Sequence, residues 1–208
     1  MKNQTTGNSQ LLPFGEAGRG FQKYELILAS KSPRRQQLLS DLGLKFRVQS
    51  MDIPEVFPEG LGMTEVPVYL AELKAEAFRP LLKKNQLVIT ADTIVWLDGK
   101  VLNKPADYAE GFQMLRNLSG KKHQVITGVC LLSSEKKISF YASTDVWFKD
   151  LSQEEIQFYL ENYHPYDKAG AYGIQEWIGY IGINHIEGSF FNVMGLPIQS
   201  LYEHLKNF

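Results

Sequence analysis

The sequence predicts an α/β fold with a mixed β-sheet, and three observations lead to it. Short apolar runs typical of buried strands, such as "YELILAS" and "QLVITADTIVWL", alternate along the chain with amphipathic patterns of helical period. The pair Asp98–Gly99 after the second run is a two-residue hairpin signal. The runs "HQVITGVCLLS" and "KISFYASTDVWF" flank a short turn-like segment. Hairpins require antiparallel neighbours, whereas strand–helix–strand units require parallel ones, so the sheet is expected to contain both.

Length and composition restrict the classes of protein that fit. The chain has 208 residues, of which 44% are hydrophobic and 22% charged, and this suits a globular domain with a sizeable core. A formal net charge of -1 gives no general attraction to nucleic acid or to an anionic membrane, so neither is expected as a partner. The single cysteine, Cys130, excludes an intrachain disulfide framework and lies in an apolar run, where a buried hydrophobe is expected.

The first twenty residues differ from the rest of the chain. Residues 1–20 are polar and Gly-rich and lack the apolar core of a signal peptide, so we expect a flexible tail followed by a single domain over residues 21–208. No apolar run approaches the roughly 18 residues of a membrane span. The expected compartment is therefore the cytoplasm.

Capping signals predict the first helix. Ser32 and Pro33 follow "YELILAS" as N-cap and first helical residue, and Gly43 is expected to end the helix. A strand pattern over "KFRVQSM" and a Pro/Gly-rich loop come next. The leucines of this helix that are expected to be buried are Leu38, Leu39 and Leu42.

Four further elements have local signals. A second helix places Val66, Leu70, Leu73 and Ala77 on one face. A helix over "YAEGFQMLRNL" is expected to end at Ser119 and Gly120. Ser152 with Glu155 forms a capping box that begins another helix. A Gly-rich segment then leads to a final helix from Pro197.

Asp92 is the most informative residue because it interrupts an apolar strand run. A buried, unpaired carboxylate costs several kcal/mol or shifts its pKa, so a metal ion, a nearby cation or exposure in a cleft must compensate it. The alternative is a bulge or strand end that leaves Asp92 in solvent. We favour the functional interpretation.

The stretch "LASKSPRRQQLL" is a second candidate site. A helix N-terminus offers free N–H groups and the positive end of the dipole, and Arg34 and Arg35 add forked donors that match phosphate oxygens. The alternative is a solvated basic patch, which is the interpretation we keep for Lys31. Cations oppose the dipole at this helix end, and that opposition weakly favours a bound anion.

The remaining inventory consists of carboxylates and scattered cations. Lys74, Lys104 and the Gly-rich loop "DKAGAYG" are each, taken alone, typical of an ordinary surface. There is no Walker-type loop, no metal-ligand spacing of histidines and no GxSxG elbow. This inventory suits a divalent metal on oxygen ligands that acts on a phosphate ester or anhydride.

Six segments together resemble the Maf family of nucleoside triphosphate pyrophosphatases. They occur in the family's order from about residue 24 to the end of the chain, and six in register are far more specific than any one of them. The segments are "LASKSPRRQQLL", "LAELKAEAF", "ITADTIVWLDGKVLNKP", "LRNLSGKKHQVITGV", "DKAGAYGIQ" and "GSFFNVMGLPI".

The resemblance implies a fold of two lobes around a deep cleft on an extended mixed sheet, similar to inosine triphosphate pyrophosphatases. It implies hydrolysis of a nucleoside triphosphate to the monophosphate and pyrophosphate with Mg²⁺ or Mn²⁺, usually in a homodimer. The family's proton acceptor is Asp92 here, and Asp92 with Glu55 would hold the metal. The other cleft positions that map onto this sequence are Ser30, Arg34, Arg35, Lys74, Lys104, Asp167 and Lys168.

Three positions separate the family's branches. Arg34, Thr93 and Gln175 match the branch that acts on dTTP and UTP and not the branch that acts on 7-methyl-GTP. A glutamine amide offers both a donor and an acceptor, which complements the O4 and N3–H edge of uracil or thymine. The choice among dTTP, UTP and modified pyrimidine nucleotides stays open.

One departure from the family pattern concerns an acidic pair. Where the family usually carries adjacent Asp and Glu, this chain has Pro54 and Glu55. Glu55 can keep its role, and whether Asp52 compensates for the missing acid is open. If that acid helps to hold the metal, the affinity for Mg²⁺ is reduced.

The mechanistic hypothesis assigns the charge of the triphosphate to Arg35, Lys74 and Lys104, with Lys168 as a further candidate. Asp92 orients or deprotonates the attacking water, while Arg34 helps to select the base. Two other functions compete with this one. The first is a non-catalytic regulator of cell division, and the second is a phosphomonoester hydrolase that uses the same cleft and releases orthophosphate.

Overall fold

A computed structural model of the protein describes residues 19–208, and most of the predicted tail, residues 1–18, lies outside them. In this described part the strands are β1 (Glu25–Leu28), β2 (Phe46–Val48), β3 (Gln86–Leu97), β4 (Lys100–Leu102), β5 (Lys122–Leu132), β6 (Lys137–Phe148) and β7 (Ile183–Glu187). The α-helices are α1 (Arg19–Gln22), α2 (Pro33–Asp41), α3 (Glu65–Glu76), α4 (Tyr108–Leu118), α5 (Gln153–Tyr163), α6 (Trp177–Gly182), α7 (Phe190–Val193) and α8 (Ile198–Lys206).

The seven strands form one mixed sheet in the order β2-β1-β3-β5-β6-β7, and β4 pairs with β3 beside this path. β1 is parallel to both β2 and β3, whereas the other pairs are antiparallel. The mixed sheet predicted from the sequence is confirmed. The predicted hairpin is also confirmed, because Asp98 and Gly99 have φ values of 50° and 80°, the positive values that the two central residues of a type I′ turn require.

Most of the predicted caps form as expected. The Ser32 side chain caps α2, Pro33 is its first residue, and Gly43 follows the helix with a φ of 78°. Ser152 and Glu155 form the predicted capping box at the start of α5. Of the three leucines expected to be buried, Leu42 is only half-buried, since it lies at the C-cap of α2.

The Gly-rich segment contains elements that the sequence did not predict. Within it lie α6, β7 and α7, which are all short, and β7 owes its conformation to pairing with the long edge of β6. Such elements carry little local signal because tertiary pairing, and not propensity, forms them.

β3 organises the sheet because it changes neighbours along its length. Its first four residues pair with β1, and its last three pair with β4. Between them, residues 90–94 are paired only on the side of β5. The chain also leaves β1 at this edge to enter α2, and β2 and β3 lie on opposite sides of β1 in the sheet. Ligands in α/β sheets bind outside the carboxyl ends of strands at such a switch point, so this open edge is the expected place for a site.

Two lobes cover one face of the sheet. In the first lobe, α2 and α8 pack Leu39 and Leu201 against Ile89 of β3. In the second lobe, α4 and α5 pack Leu115 and Leu160 against the far end of β3. Residues two apart on a strand share a face, so both lobes lie on the same side with Thr93 between them. The predicted architecture of two lobes around a cleft is confirmed.

α3 covers the opposite face, and its backbone lies close against Gly128. This glycine lies on β5 directly opposite Asp92 of β3. A Cβ at this position would lie against the backbone of Pro67 on α3, closer than real Cβ contacts occur. The close approach therefore requires glycine, and it sets how far α3 stands from the strand that carries Asp92.

We expect Gly128→Ala to displace α3 and to destabilise the protein by about 1–3 kcal/mol, because the backbone of Pro67 cannot move aside as a side chain can. Urea unfolding measures the change. Gly62→Ala is the matched control, since its Cβ would meet only the flexible end of Glu65. Equal stability of the two variants would contradict this account of Gly128.

His123 is a buried titratable group in the second lobe. It lies on β5 with 2% exposure, and its Nε2 is 2.7 Å from the Tyr172 hydroxyl. Burial lowers the pKa of His123 from 6.5 to about 4, with a smaller opposing effect from the charge of Asp145. The folded protein therefore holds this ring neutral at a pH where the unfolded chain protonates it.

The unfolded chain binds more protons at His123 between pH 6.5 and 4, so stability is lost as pH falls through this window. The loss from this group is about 3 kcal/mol. Urea unfolding at several pH values measures the slope, which His123→Leu should flatten and His185→Gln, an exposed control on β7, should leave intact. An unchanged slope in His123→Leu would show that another group causes the loss.

Candidate active site

One cleft of about 960 Å³ lies at the open edge of β3, between the two lobes. It brings together every residue that the sequence singled out as a site candidate, although these come from six separate stretches of the chain. The candidates that line it are Ser30, Arg34, Arg35, Glu55, Lys74, Asp92, Thr93, Lys104, Asp167, Lys168 and Gln175.

Lys74, Asp92 and Glu55 form the first charged group of the cleft, the Lys74 group. Asp92 lies in the middle of β3 with 7% exposure, so the alternative of a solvent-exposed strand end is wrong. The Lys74 Nζ lies 2.5 Å from Asp92 Oδ1 and 2.7 Å from Glu55 Oε1. Lys74 belongs to the last turn of α3, and the close approach of α3 at Gly128 brings its ammonium to the strand. A cation is thus what compensates the buried carboxylate.

Electrostatics keep Glu55 ionised. Burial acts to raise its pKa, but the hydrogen bond and charge of Lys74, with the charges of Lys104 and Arg35, outweigh burial and hold the pKa below its usual value. Lys104 is exposed just after the end of β4, and its positive charge helps to lower the pKa of Glu55. The Lys74 group and its neighbours therefore carry three cations against two carboxylates.

Arg35 is held rigidly by the sheet and the C-terminal segment. Its Nη1 donates to the carbonyl of Ala91, 2.8 Å away, at the open edge of β3. Its Nε donates to the carbonyl of Gly195 at 2.7 Å, and its Nη2 donates to the hydroxyl of Thr93 at 3.0 Å. Three of the five N–H groups of the guanidinium are thereby used, and two stay available to a ligand. Burial lowers the pKa of Arg35, with an opposing effect from Asp92.

Thr93 faces the opposite side of β3 from Asp92, since neighbouring strand residues alternate. Its hydroxyl accepts from Arg35 and lies 2.9 Å from the hydroxyl of Thr127. Thr127 in turn donates to the carbonyl of Asn192 on α7. Thr93 thus orients Arg35 and links it to the segment "GSFFNVMG".

A second charged group, the Lys168 group, consists of Arg34, Asp167, Lys168 and Glu176. Asp167 lies 2.9 Å from Arg34 Nη1 and 2.8 Å from Lys168 Nζ. Burial acts to raise the pKa of Asp167, but the hydrogen bonds from Lys168 and Arg34 hold it below its usual value. Lys168 is buried and also contacts Glu176 Oε1 at 2.9 Å. The adjacent Arg34 and Arg35 therefore serve different parts of the cleft.

Two residues of this region, Glu176 and Tyr159, make contacts that the sequence does not predict. Glu176 binds Lys168, and its other oxygen accepts a hydrogen bond from the hydroxyl of Tyr159 on α5. The only sequence signal for Tyr159 is a hydroxyl on the apolar face of a helix, which needs a partner when buried. Glu176 directly follows "YGIQ", and no local pattern distinguishes it from a surface acid.

The amide of Gln175 has an oxygen without a partner. Gln175 lines the cleft, and its Oε1 is buried with no hydrogen-bond partner among the residues that the structure describes. An unsatisfied buried acceptor costs about 1–3 kcal/mol, so a ligand that donates to it gains that amount. Ser30 plays a local role, because its hydroxyl accepts from the backbone N–H of Ser32 at the start of α2.

Comparison with known proteins gives the family of this chain. A model of the Maf family, described as "Maf-like protein", matches residues 25–208. The chain belongs to the Maf family. It is 56% identical over 185 residues to a dTTP/UTP pyrophosphatase of Bacteroides thetaiotaomicron, and the match covers 88% of this chain and 96% of that protein. It is 54% identical over 189 residues to a dTTP/UTP pyrophosphatase of Porphyromonas gingivalis, with 89% and 95% covered.

Two solved structures resemble parts of this Maf protein. The structure of the Staphylococcus aureus Ham1 protein gives a TM-score of 0.42 at 19% identity, with 61% of this chain and 72% of that chain covered. A nucleoside-triphosphatase / dITP/XTP pyrophosphatase from Mycobacterium abscessus gives 0.38 at 14% identity, with 60% and 74% covered.

The two acids that flank Pro54, the position where the chain departs from the Maf pattern, have different partners. Asp52 lies 2.6 Å from the Nζ of Lys31, and both side chains are largely exposed at the rim of the cleft. Asp52 therefore pairs with Lys31 and not with Lys74, which leaves Glu55 as the acid of this loop that reaches the Lys74 group.

The donor set of this Maf protein suits a hard cation only in part. Among residues 21–208 there is no cluster of three or more His, Cys, Asp or Glu side chains arranged to hold a metal. Asp92 and Glu55 nevertheless converge on one point, the Lys74 ammonium. Two carboxylates with substrate phosphates are the ligands that Mg²⁺ commonly takes. The residues therefore fit a metal that arrives with a phosphate ligand.

Over the residues that the structure describes, none of the helices has the length and apolar character to cross a bilayer.

We expect Lys74→Met to destabilise the protein by about 3 kcal/mol at neutral pH, because it leaves the buried Asp92 and its neighbour Glu55 without their shared cation. Lys137→Met is the matched control: Lys137 also contacts two carboxylates, those of Glu72 and Glu76, but its group is more exposed. That variant should lose less than about 1 kcal/mol. Urea unfolding compares them, and equal losses would contradict a special role for burial.

Proposed function

We propose that this Maf protein hydrolyses dTTP and UTP, or modified pyrimidine nucleotides, to the nucleoside monophosphate and pyrophosphate. The names of the relatives support this activity, as they are dTTP/UTP pyrophosphatases that match nearly the whole of both chains. The observation that carries the proposal is the buried carboxylate of Asp92, paired with the ammonium of Lys74 inside a cleft rich in cations. A purely interacting protein has no need of such a carboxylate in a core strand.

In the proposed complex the triphosphate lies against Lys74 and the cations that neighbour the Lys74 group. Lys74 and Lys104 offer ammonium donors, and Arg35 offers the two N–H groups that the protein does not use. The N-terminus of α2 adds the backbone N–H of Arg34, since Pro33 has none and that of Arg35 is bound by the Ser32 side chain. Because Lys74 and Arg35 are held by their protein partners before the substrate arrives, they stabilise the charge that develops in the transition state without reorganisation.

Asp92 is the proposed general base. Lys74 binds its Oδ1, which leaves Oδ2 to accept a hydrogen bond from water. Water attacks the α-phosphorus, its proton passes to Asp92, and the bond from the α-phosphorus to the bridging oxygen breaks. Pyrophosphate then leaves with the bonding electrons. Lys74 contributes by holding the carboxylate of Asp92 in place through its Oδ1.

Asp92 and Glu55 would hold Mg²⁺ or Mn²⁺ together with phosphate oxygens of the substrate. When bound, the metal would neutralise negative charge on the phosphates. The loop that carries Pro54 supplies only Glu55 to this group, so we propose that the metal depends strongly on the substrate for its ligands.

The pyrimidine base is proposed to bind near Gln175. The unpaired Oε1 of Gln175 can accept from N3–H of uracil or thymine, and its amide nitrogen can donate to O4. Arg34 lies in the neighbouring Lys168 group, while Thr93 acts through Arg35. The family resemblance adds a homodimer in the cytoplasm to the proposal, and the balanced net charge of -1 supports the absence of a nucleic-acid partner.

We expect Asp92→Asn to lower kcat for dTTP by about 10²–10⁴ through loss of the general base. Pyrophosphate and orthophosphate are both assayed with Mg²⁺ or Mn²⁺, and the melting temperature shows that the variant is folded. Asp98→Asn, in the exposed hairpin turn, is the control.

Near-normal turnover by folded Asp92→Asn would remove Asp92 from the mechanism. Release of orthophosphate by the wild-type protein would favour a phosphomonoester hydrolase, and failure to turn over any nucleotide would favour a non-catalytic regulator. A profile restricted to purine nucleotides would contradict the assignment of Arg34, Thr93 and Gln175.

A further inference from the structure

Glu176 joins the two ends of the loop that runs from Asp167 to Gln175. One carboxylate oxygen lies 2.9 Å from the ammonium of Lys168, near the start of the loop. The other oxygen accepts from the hydroxyl of Tyr159, and that hydroxyl accepts in turn from the backbone N–H of Gly173 at 3.0 Å. The loop is thereby tied at both ends to one side chain.

The glycine at position 173 leaves room for this arrangement. A Cβ there would lie 2.8 Å from Cδ of Glu176 and 3.1 Å from Nε2 of Gln175. The first distance is shorter than real Cβ contacts, and the second is at their limit. The Glu176 carboxyl and the Gln175 amide therefore pack directly against the backbone of Gly173. The position of the Gln175 amide therefore depends on where Glu176 holds this backbone.

The charges of the two groups in the cleft differ. In the Lys168 group, two cations, Arg34 and Lys168, face two carboxylates, Asp167 and Glu176. The Lys74 group and its neighbours instead have an excess of one cation. A triphosphate is drawn to the group with excess positive charge, whereas an uncharged base suits a group whose ions are already balanced.

We propose that Glu176 is a positioning residue that sets specificity for an uncharged pyrimidine base: it neutralises Lys168 and, through Tyr159 and Gly173, fixes the Gln175 amide. This inference rests on the proposed function and deepens it. It moves Lys168 from the candidates for phosphate binding to the base-binding part of the cleft.

The proposal distinguishes two effects of removing the Glu176 charge. Gln175 loses its fixed position, so binding of the base weakens. Lys168 gains an unbalanced charge, so the same part of the cleft begins to attract an anion. A merely structural role for Glu176 would weaken the binding of every ligand alike.

The test uses Glu176→Gln, which keeps the shape of the side chain, and the full-length protein. We expect KM for dTTP and UTP to rise about tenfold with kcat within about threefold of the wild type, because the Lys74 group is unchanged. The dissociation constant of inorganic tripolyphosphate, measured by calorimetry without turnover, should fall about threefold or more. Glu161→Gln, an exposed acid on α5, is the matched control and should change none of these values.

Tyr159→Phe is the second variant and carries the test if Glu176→Gln does not fold. It keeps the ion pair between Glu176 and Lys168 but removes the hydroxyl that ties Gly173. We expect KM for dTTP to rise about threefold while tripolyphosphate binding stays as in the wild type.

Three results would overturn the proposal: an unchanged KM for dTTP in Glu176→Gln, a fall in kcat with unchanged KM, or weaker binding of tripolyphosphate. If the wild-type protein does not turn over dTTP or UTP, the proposed function fails. Stronger tripolyphosphate binding by Glu176→Gln would then still establish the charge balance around Lys168, so the two failures are distinguishable.

Discussion

The ion pair between Asp92 and Lys74 is the interaction on which the rest of the site depends. A carboxylate in the middle of a core strand needs compensation, and here a cation supplies it from α3, the helix on the face of the sheet toward which Asp92 points. The contact between Lys74 and Asp92 requires α3 to lie against the sheet without an intervening side chain, and Gly128 allows this. The same ammonium also binds Glu55, so one lysine organises both acids of the cleft.

The cleft itself follows from the length of β3. Twelve residues are more than the helices of one lobe can cover, so two separate sets of helices pack on the same face. Where neither β1 nor β4 pairs with β3, the carbonyl of Ala91 is left without a strand partner, and Arg35 satisfies it. The sheet thus positions an arginine at its open edge by the ordinary requirement that backbone acceptors be paired.

Much of this arrangement could be predicted from the sequence. Local signals are strong at caps and turns, which is why Ser32, Ser152 and the Asp98–Gly99 hairpin were predicted correctly. Asp92 was conspicuous because a carboxylate in an apolar run is costly, and the family motifs supplied the other candidates of the cleft. The convergence of these candidates on one cavity could not be derived from spacing, since it depends on long-range pairing of β1, β3 and β5.

Other features had no local signal at all. β7 forms because β6 offers it an edge, and the roles of Tyr159 and Glu176 arise from contacts between α5 and a loop distant in sequence. A sequence shows the chemical type of such residues but not their partners. The same holds for charge: a count of lysines and acids gives a net charge near zero for the chain, and only their pairing shows that the balance is unequal within the cleft.

The division between Arg34 and Arg35 shows how one helical turn serves both parts of the cleft. Neighbouring residues on a helix point about 100° apart, so the two guanidinium groups separate at the start of α2. Arg35 is fixed by backbone carbonyls that cannot titrate or leave, which suits a permanent contact with phosphate charge. Arg34 is held by a carboxylate that is itself shared with Lys168, so its environment responds to whatever occupies the Lys168 group. The proposed binding of phosphate and the proposed choice of base therefore rest on separately held side chains, although Arg34 and Arg35 are adjacent in the sequence.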